Sequence, residues 1–191
     1  MGRLTLILGG ARSGKSTFAQ QLAEGRFGQV VYIATARGLD REMEARIVVH
    51  KQARPSHWVT FEIPSNVGGR LKEIPLQSGG VILDCLTMLV SNLLMDIPSD
   101  NEELDQVEAF AAVQTEMDEL VDAIQGSEAD WIVVSNEVGL GLVPPYPLGR
   151  LYRDLLGRAN QRLAACAEEV FFLIAGIPVP IHNFRSQSPL K

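Results

Sequence analysis

The sequence has little of what several protein classes require. Cysteine occurs only twice in 191 residues, at Cys85 and Cys166. Both cysteines lie in apolar stretches of sequence, which predicts buried free thiols rather than a disulfide framework. No uninterrupted apolar run approaches the length of a membrane span, and no signal peptide precedes the first strand-like run. The formal net charge is −6, whereas nucleic-acid binders more often present a basic face. We therefore expect a soluble cytoplasmic protein that binds neither membrane nor nucleic acid.

The rest of the composition is that of an ordinary globular domain. Hydrophobic residues make up 46% of the chain and charged residues 21%, and this length suits one domain with a substantial core. Because the overall charge is negative, an anionic substrate would have to be held by a local group of cations rather than by the field of the whole protein.

The most informative segment follows the apolar run Leu4–Leu8 and precedes a helix-like stretch that begins at Thr17. It matches the phosphate-binding P-loop, a glycine, four residues and then Gly-Lys-Ser. Glycines allow the loop to wrap closely around a phosphate, and backbone N–H groups there and at the next helix N-terminus point at the anion. In this arrangement Lys15 reaches the β- and γ-phosphates, and Ser16 ligates Mg²⁺. The predicted nucleotide-binding residues here are Gly9, Gly10, Ala11, Arg12, Ser13, Gly14, Lys15 and Ser16.

The alternative to a P-loop is a chance match on a strand–turn–helix unit. The strand before the segment and the helix after it, both at the positions that the motif needs, favour the nucleotide interpretation.

Strand-like and helix-like segments alternate along the chain, which predicts an α/β fold with a mostly parallel sheet and right-handed crossovers. We expect a single domain over residues 1–180 and a loose tail over 181–191. Gly176-Ile177-Pro178 is predicted to turn out of the last strand. Strands are predicted at 4–8, 29–35, 60–63, 79–87, 131–136 and 170–174, and the main helices at 17–25, 41–52, 87–95, 102–124 and 148–168.

Two strand ends carry candidate ligand contacts, because ligands bind at the carboxyl ends of the strands in open α/β sheets. Ala34, Thr35 and Ala36 lie at the end of the second strand. Asp84 ends another apolar run and resembles a Walker B aspartate, which holds Mg²⁺ directly or through water. The sequence therefore predicts Ser16 and Asp84 as the metal ligands.

A helix predicted over Arg41–Gln52, with Asp40 as its N-cap, carries the most informative histidine. Met43, Ile47 and His50 lie at i, i+4 and i+7 and so share one face. Neutral imidazole is a good nucleophile toward phosphorus, and nearby arginines stabilise the charge that develops. His50 could instead bind phosphate or cap the helix. Since a protonated imidazole cannot attack, a nucleophilic role requires a neighbouring acceptor or burial to keep the ring neutral.

Two further positions stay open on the residues alone. Glu62 follows a strand-like stretch and could contact a base, a ribose hydroxyl or a metal, or could be a surface carboxylate. Asn136 and Glu137 end a strand at the predicted ligand edge, where turn chemistry is an equally good explanation.

Taken together, these motifs resemble the bifunctional adenosylcobinamide kinase / adenosylcobinamide-phosphate guanylyltransferase family over roughly residues 4–178. The histidine segment in combination with Asn-Glu-Val-Gly is the most specific part. The segments that carry the resemblance are the P-loop, Tyr32-Ile33-Ala34-Thr35, Glu42-Met43, Arg46-Ile47, His50-Lys51, Arg54-Pro55, His57-Trp58, Thr60, Glu62, Asn136-Glu137-Val138-Gly139, Arg153-Asp154, Gly157-Arg158 and Asn160-Gln161-Arg162-Leu163.

The resemblance implies two reactions. ATP or GTP first phosphorylates the aminopropanol hydroxyl of adenosylcobinamide. A histidine, here His50, then attacks the α-phosphate of GTP, expels pyrophosphate and passes GMP to adenosylcobinamide phosphate. It also implies a RecA-like P-loop NTPase fold, a homotrimer, and Mg²⁺ as the cofactor. By the same match, the nucleotide site further includes Ala34, Thr35, Ala36, Lys51, Gln52, Ala53, Arg54, Glu62 and Asp84.

Two other functions compete with this one. A monofunctional small-molecule kinase would need the P-loop and Asp84 but no covalent histidine. A regulatory GTPase or a nucleotide-dependent binding module would use the same loop, but the guanine-reading Asn-Lys-X-Asp motif of the former is absent from the sequence.

Overall fold

The computed structural model describes residues 2–74, 79–98 and 105–183. Strands and helices alternate through most of this length, as the sequence predicts. In chain order the elements are β1 (Leu4–Gly9), α1 (Lys15–Arg26), β2 (Val30–Ala34), α2 (Arg41–Gln52), β3 (Val59–Glu62), α3 (Val67–Arg70), a 3₁₀ turn (Leu71–Glu73), β4 (Gly80–Asp84), α4 (Leu86–Asp96), α5 (Gln106–Gly126), β5 (Asp130–Val134), α6 (Pro147–Cys166), β6 (Glu169–Ile174) and β7 (Ile177–Pro180).

The described strands form one seven-stranded sheet in the order β3-β2-β4-β5-β1-β6-β7. All neighbouring pairs are parallel except β6 and β7. Parallel strands need crossover connections, and the helices that make them cover both faces of the sheet. The mostly parallel α/β architecture is therefore confirmed.

Alternation of side chains along each strand divides the core into two layers. In β1, Leu6 belongs to the layer that also contains Leu89 of α4 and Leu120 of α5. The next residue, Ile7, belongs to the opposite layer, with Ala19 of α1. Because both faces are covered, the strands are continuous apolar runs, and the P-loop strand β1 lies deep inside the sheet.

The seventh strand corrects the prediction for the end of the chain. Gly176-Ile177-Pro178 does not lead out of the sheet. Ala175 and Gly176, both with positive φ, reverse the chain, and Ile177–Pro180 pairs antiparallel with β6. Proline is tolerated there because an edge strand leaves one side of its backbone unpaired.

The ends of two predicted segments fall partly outside the described residues. The helix expected from residue 102 is helical from Gln106, and residues 99–104 are outside the described part. Within the expected tail, the Ile181 N–H donates to the Val170 carbonyl at 2.9 Å, and His182 lies against the Phe171 ring. For residues 184–191 the loose tail stays a prediction.

Two further sequence expectations concern the described residues. Both cysteines are free thiols, as predicted, although each residue is only half-buried. Among the helices of the described segments, none combines the length and the apolar character that a bilayer span needs.

Candidate functional site

The loop between β1 and α1 has the backbone conformation of a phosphate-binding turn. Gly9 has φ of 152°, and a Cβ there would lie 2.7 Å from both the Leu173 carbonyl oxygen and Ser13 Oγ. Gly14 has φ of 94°, a region that residues with a side chain rarely adopt. The Gly176 N–H donates to the Ser13 carbonyl at 3.0 Å, so the β6–β7 turn supports the loop from outside.

Two side chains of this loop are positioned to donate to an anion. Lys15 is buried, and its Nζ donates to the Gly10 carbonyl across the loop at 2.6 Å. Burial lowers the pKa of Lys15, while the negative charge of Asp84 acts in the opposite direction. The Ser13 hydroxyl is buried and has no hydrogen-bond partner among the described residues. A bound phosphate would supply the missing acceptor.

The pairing register of the strands brings the ends of several strands together beside this loop. Ala34 pairs with Glu62 on one side and with Asp84 on the other, and Asp84 pairs with Val134. Because these strands are parallel, their carboxyl ends form one edge of the sheet. Glu62, Asp84 and the P-loop therefore lie along the same edge, as the sequence predicts.

Asp84 is held by a tyrosine outside the predicted set of site residues. The Tyr32 hydroxyl donates to Asp84 Oδ2 at 2.5 Å. Burial raises the pKa of Tyr32, and the Asp84 carboxylate raises it further. Tyr32 therefore stays a protonated donor at neutral pH. Period-two alternation could have selected it, since Tyr32 points to the same side of β2 as Ala34.

The residues present fit a Mg²⁺ ion that arrives with a nucleotide. Ser16 and Asp84 line one cleft and offer a hydroxyl and a carboxylate oxygen. Among the residues that the structure describes, no group of three or more His, Cys, Asp or Glu side chains could hold a metal alone. Mg²⁺ normally takes one or two protein oxygens and completes its shell with phosphates and waters.

Helix α2 has the predicted bounds and the predicted cap. Asp40 Oδ1 accepts a hydrogen bond from the Met43 N–H at 2.7 Å. Met43, Ile47 and His50 share a face, as expected from their spacing, and all three line the same cleft as the P-loop. None of the residues of α2 is buried.

The environment of His50 differs from the sequence expectation. The ring is exposed, and no described side chain or backbone group forms a hydrogen bond with it. The structure therefore shows neither the burial nor the neighbouring acceptor that the sequence predicts for this ring, because α2 buries no side chain against the sheet.

These elements enclose a cleft of about 520 Å³. It brings together most of the predicted site residues, from five separate parts of the chain. Those that line it are Ala11, Arg12, Ser13, Gly14, Lys15, Ser16, Ala34, Ala36, His50, Lys51, Arg54, Glu62 and Asp84.

Five predicted residues do not line the cleft. Gly9 and Gly10 shape the loop behind it. Thr35 is fully buried, and its hydroxyl exchanges hydrogen bonds with the Cys85 backbone at 2.6 and 2.8 Å. Gln52 and Ala53 are exposed where α2 ends.

The end of α2 is tied to the sheet by charged and aromatic contacts. Lys51 forms an ion pair with Glu62 of β3. The Arg54 guanidinium carbon lies 3.9 Å from the centre of the Tyr32 ring, a cation–π contact. Arg54 Nε is buried without a hydrogen-bond partner among the described residues, which leaves it available to a ligand.

Several residues that line the cleft were missing from the predicted set. Asn136 is one of them, and its main chain is fixed because its N–H donates to Thr87 Oγ1 at 2.7 Å and its carbonyl accepts from Asn160 Nδ2 at 3.0 Å. Glu137 instead accepts from the Gly139 N–H at 2.5 Å, which is the turn chemistry considered as the alternative. The other missing lining residues are Thr17, Tyr32, Met43, Arg46, Ile47, Cys85, Thr87, Met88 and Val134.

Cys85 is not a competing nucleophile in this cleft. Burial raises the pKa of its thiol to about 12, and Asp84 contributes in the same direction. Since the thiolate is the reactive form, Cys85 is a weaker nucleophilic candidate than His50, which lines the same cleft.

Comparison with known proteins agrees with this geometry. The chain is 42% identical over 180 residues to the bifunctional adenosylcobalamin biosynthesis protein CobU of Salmonella typhimurium, covering 93% of this chain and 99% of that protein. It is 43% identical to the protein of the same name from Escherichia coli, with the same coverage. The corresponding CobP protein of Pseudomonas aeruginosa is 40% identical over 176 residues, covering 92% of this chain and 95% of its own length.

Two solved structures have a similar chain path. One is an ATPase domain, for which the match covers 99% of this chain and 73% of that one, with 12% identity and a TM-score of 0.48. The other is the RadB recombinase, for which the match covers 90% and 74%, with 15% identity and a TM-score of 0.46.

A sequence profile gives the family. The profile described as cobinamide kinase / cobinamide phosphate guanyltransferase matches residues 5–181. With a profile match over nearly the whole chain and relatives at 40–43% identity, the chain belongs to the cobinamide kinase / cobinamide phosphate guanyltransferase family.

Proposed function

We propose that this chain catalyses both reactions for which its family is named, on adenosylcobinamide and then on its phosphate. The observation that carries the proposal is that His50 lines the same cleft as Lys15 and Asp84. A phosphate-binding loop alone would serve many enzymes. A nucleophilic side chain facing that loop from a separate helix is what guanylyl transfer additionally requires.

In the kinase reaction, the P-loop binds the phosphates of ATP or GTP. The Lys15 ammonium leaves the Gly10 carbonyl and contacts the β- and γ-phosphates. Ser16 and Asp84 would hold Mg²⁺, which would neutralise charge on the phosphates. The oxygen of the substrate hydroxyl then attacks the γ-phosphorus in line, the bond to the nucleoside diphosphate breaks, and the hydroxyl proton is lost to solvent.

In the transferase reaction, a ring nitrogen of His50 attacks the α-phosphorus of GTP. The N–P bond forms while the bond from phosphorus to the bridging oxygen breaks, and pyrophosphate leaves with Lys15 balancing its charge. The imidazole loses its proton to solvent, since the ring is exposed. A phosphate oxygen of the cobinamide phosphate then attacks the same phosphorus, frees His50 and forms adenosylcobinamide-GDP.

The remaining nucleotide contacts belong to the same proposal. Arg54 offers its buried, unpartnered Nε to a phosphate. The Lys51–Glu62 ion pair lies at the rim of the cleft, where either side chain could open to bind the nucleoside. Thr35 supports the site through its hydrogen bonds to the Cys85 backbone, and Gln52 and Ala53 stay predicted nucleotide contacts. Homotrimer formation, which the resemblance to the family implies, and a cytoplasmic location, which is expected from the sequence, are further proposals.

The decisive experiment is covalent labelling. We expect GTP labelled at the α-phosphate, with Mg²⁺, to label the protein through a bond that is labile to acid and stable to base, as a phosphoramidate is. Label at the γ-phosphate should not be retained. His50→Ala should lose the adduct completely. The matched control is His57→Ala, which removes another exposed histidine and should keep the adduct.

Absence of an adduct from the wild-type protein, together with phosphorylation of adenosylcobinamide, would establish the monofunctional kinase instead. If adenosylcobinamide left nucleotide turnover unchanged and no product formed, the nucleotide-dependent binding module would be the better description.

A further inference from the structure

Tyr32 lines the cleft but has no role in the proposed mechanism. It lies on β2, is only 1% exposed, and contacts both the strand end that carries Asp84 and the segment that follows α2. We propose that Tyr32 is a positioning residue: its hydroxyl orients the Asp84 carboxylate for the metal, and its ring holds Arg54 against the cleft. This inference rests on the metal-dependent nucleotide site of the proposed function.

The first contact fixes the carboxylate. Tyr32 and Asp84 lie on adjacent strands, two residues apart in register, since Asp84 pairs with Ala34. The tyrosine hydroxyl donates to Oδ2 at 2.5 Å. No described group donates to Oδ1, so that oxygen is free to face a cation or one of its waters. Hydrogen bonds of this kind orient metal-binding carboxylates and strengthen their affinity.

The second contact fixes a cation at the end of α2. Arg54 lies over the Tyr32 ring at 3.9 Å, and Trp58 stacks near the same ring with centroids 6.3 Å apart. Helix α2 buries none of its own side chains. The position of its C-terminal end, and so of His50, therefore depends strongly on these contacts beyond the helix.

The two roles can be separated by substitution. Tyr32→Phe removes the hydroxyl and keeps the ring, so it should affect the metal and retain the ring contact with Arg54. Tyr32→Leu removes both. Tyr152→Phe is the matched control, because the Tyr152 hydroxyl donates to the Thr87 carbonyl at 3.3 Å and makes no contact with Asp84.

The test measures metal binding without turnover. Mn²⁺ replaces Mg²⁺, and the paramagnetic resonance signal of free Mn²⁺ is titrated with protein and α,β-methylene GTP, whose bridge His50 cannot break. We expect Tyr32→Phe to raise the Mn²⁺ Kd by about tenfold, the range seen when partners of metal ligands are removed. Nucleotide affinity in EDTA should be unchanged, and Tyr152→Phe should match the wild-type protein in both measurements.

A double-mutant cycle distinguishes positioning from general damage to the fold. If Tyr32 acts through Asp84, Tyr32→Phe should change the Mn²⁺ Kd no further in an Asp84→Asn background. Equal Mn²⁺ affinity in Tyr32→Phe and wild type, or a full tenfold loss in the Asp84→Asn background, would overturn the inference.

The outcome is independent of guanylyl transfer. A wild-type protein that binds Mn²⁺ and the analogue but forms no covalent adduct would end the transferase proposal and leave the role of Tyr32 intact. A covalent adduct in the wild-type protein, together with a Mn²⁺ affinity that Tyr32→Phe does not change, would support the transferase proposal and overturn the role of Tyr32.

Discussion

The backbone conformation at Gly14, in the phosphate-binding loop, requires a glycine. It is the last residue before α1 and has φ of 94° and ψ of 9°. A side chain in a left-handed conformation costs about 1–2 kcal/mol, so Gly14→Ala should lower the free energy of unfolding by about that amount. Since the strain lies in the loop that binds phosphates, the variant should also bind GTP more weakly. Urea unfolding and titration with a fluorescent GTP analogue check both effects.

Gly25→Ala is the control for that substitution. Gly25 is exposed within α1, and an added Cβ would meet no atom within 4 Å. Alanine favours the helix, so this variant should be more stable by about 0.5–1 kcal/mol with unchanged GTP affinity. Equal losses of stability in the two variants would show that the Gly14 backbone is not strained.

The chemistry of single residues was more predictable than their surroundings. Lys15, Ser16 and Asp84 are predicted from motifs whose spacing reflects a fixed geometry around phosphate, and all three line one cleft. The Tyr32–Asp84 hydrogen bond was not predicted, because it joins residues 52 positions apart, and nothing local indicates which strands are neighbours. His50 was predicted to be buried or partnered, but the packing that decides this depends on tertiary structure.

At the scale of elements, segments whose hydrophobic pattern has a clear period were predicted close to the positions where the structure has them. Helix α2 has the predicted bounds because a capping aspartate starts it and Pro55 follows soon after its end. Strand β7 was missed because Pro178 and Pro180 favour a turn when the sequence is considered alone. Only pairing with β6 at the edge of the sheet makes those prolines compatible with a strand.

A buried carboxylate joins two of these elements. Glu116 of α5 is 5% exposed and accepts hydrogen bonds from the Val67 and Gly68 N–H groups at 2.7 and 3.2 Å. Glu116→Ala would leave both donors buried and unpartnered, so we expect it to lower the free energy of unfolding by about 3 kcal/mol. Glu116→Gln keeps an acceptor oxygen and should cost much less. Asp122→Ala, an exposed position on the same helix, should change stability by less than about 0.5 kcal/mol.

The same carboxylate gives a pH dependence with a definite sign. Burial raises the pKa of Glu116 above its ordinary value of 4.5, against the opposing effect of the backbone donors. The folded state therefore binds the proton more tightly than the unfolded state, and this contribution to stability is lost as the pH rises from about 4.5 through the raised pKa. Relative to Glu116→Gln, the wild-type protein should become less stable across that interval in urea titrations. If the stability of the wild-type protein relative to Glu116→Gln increased as the pH rose across that interval, the raised pKa of Glu116 would be contradicted.

Across the whole molecule, the function depends on strand order, which the sequence does not state. Glu62, Asp84 and the P-loop come from three separate strands, and they share an edge only because β2 pairs with both β3 and β4, while β5 pairs with both β4 and β1. The alternation of strands and helices predicts a parallel sheet, but several strand orders are compatible with it. Long-range packing selects among them.

Since these strands meet under the cleft, a bound nucleotide should stabilise the entire sheet. A ligand that binds only the folded state at about 100 times its Kd adds about 2.7 kcal/mol, which corresponds to a rise in Tm of roughly 5–10 °C for a domain of this size. We expect α,β-methylene GTP with Mg²⁺ to produce this rise in scanning fluorimetry. His50→Ala should retain it, because His50 faces the phosphates from a helix that is not needed to hold them. Lys15→Met should lose most of it, because Lys15 is the buried cation of the loop. If His50→Ala lost the ligand-induced rise in Tm and Lys15→Met retained it, helix α2 rather than the P-loop would be the element that holds the phosphates.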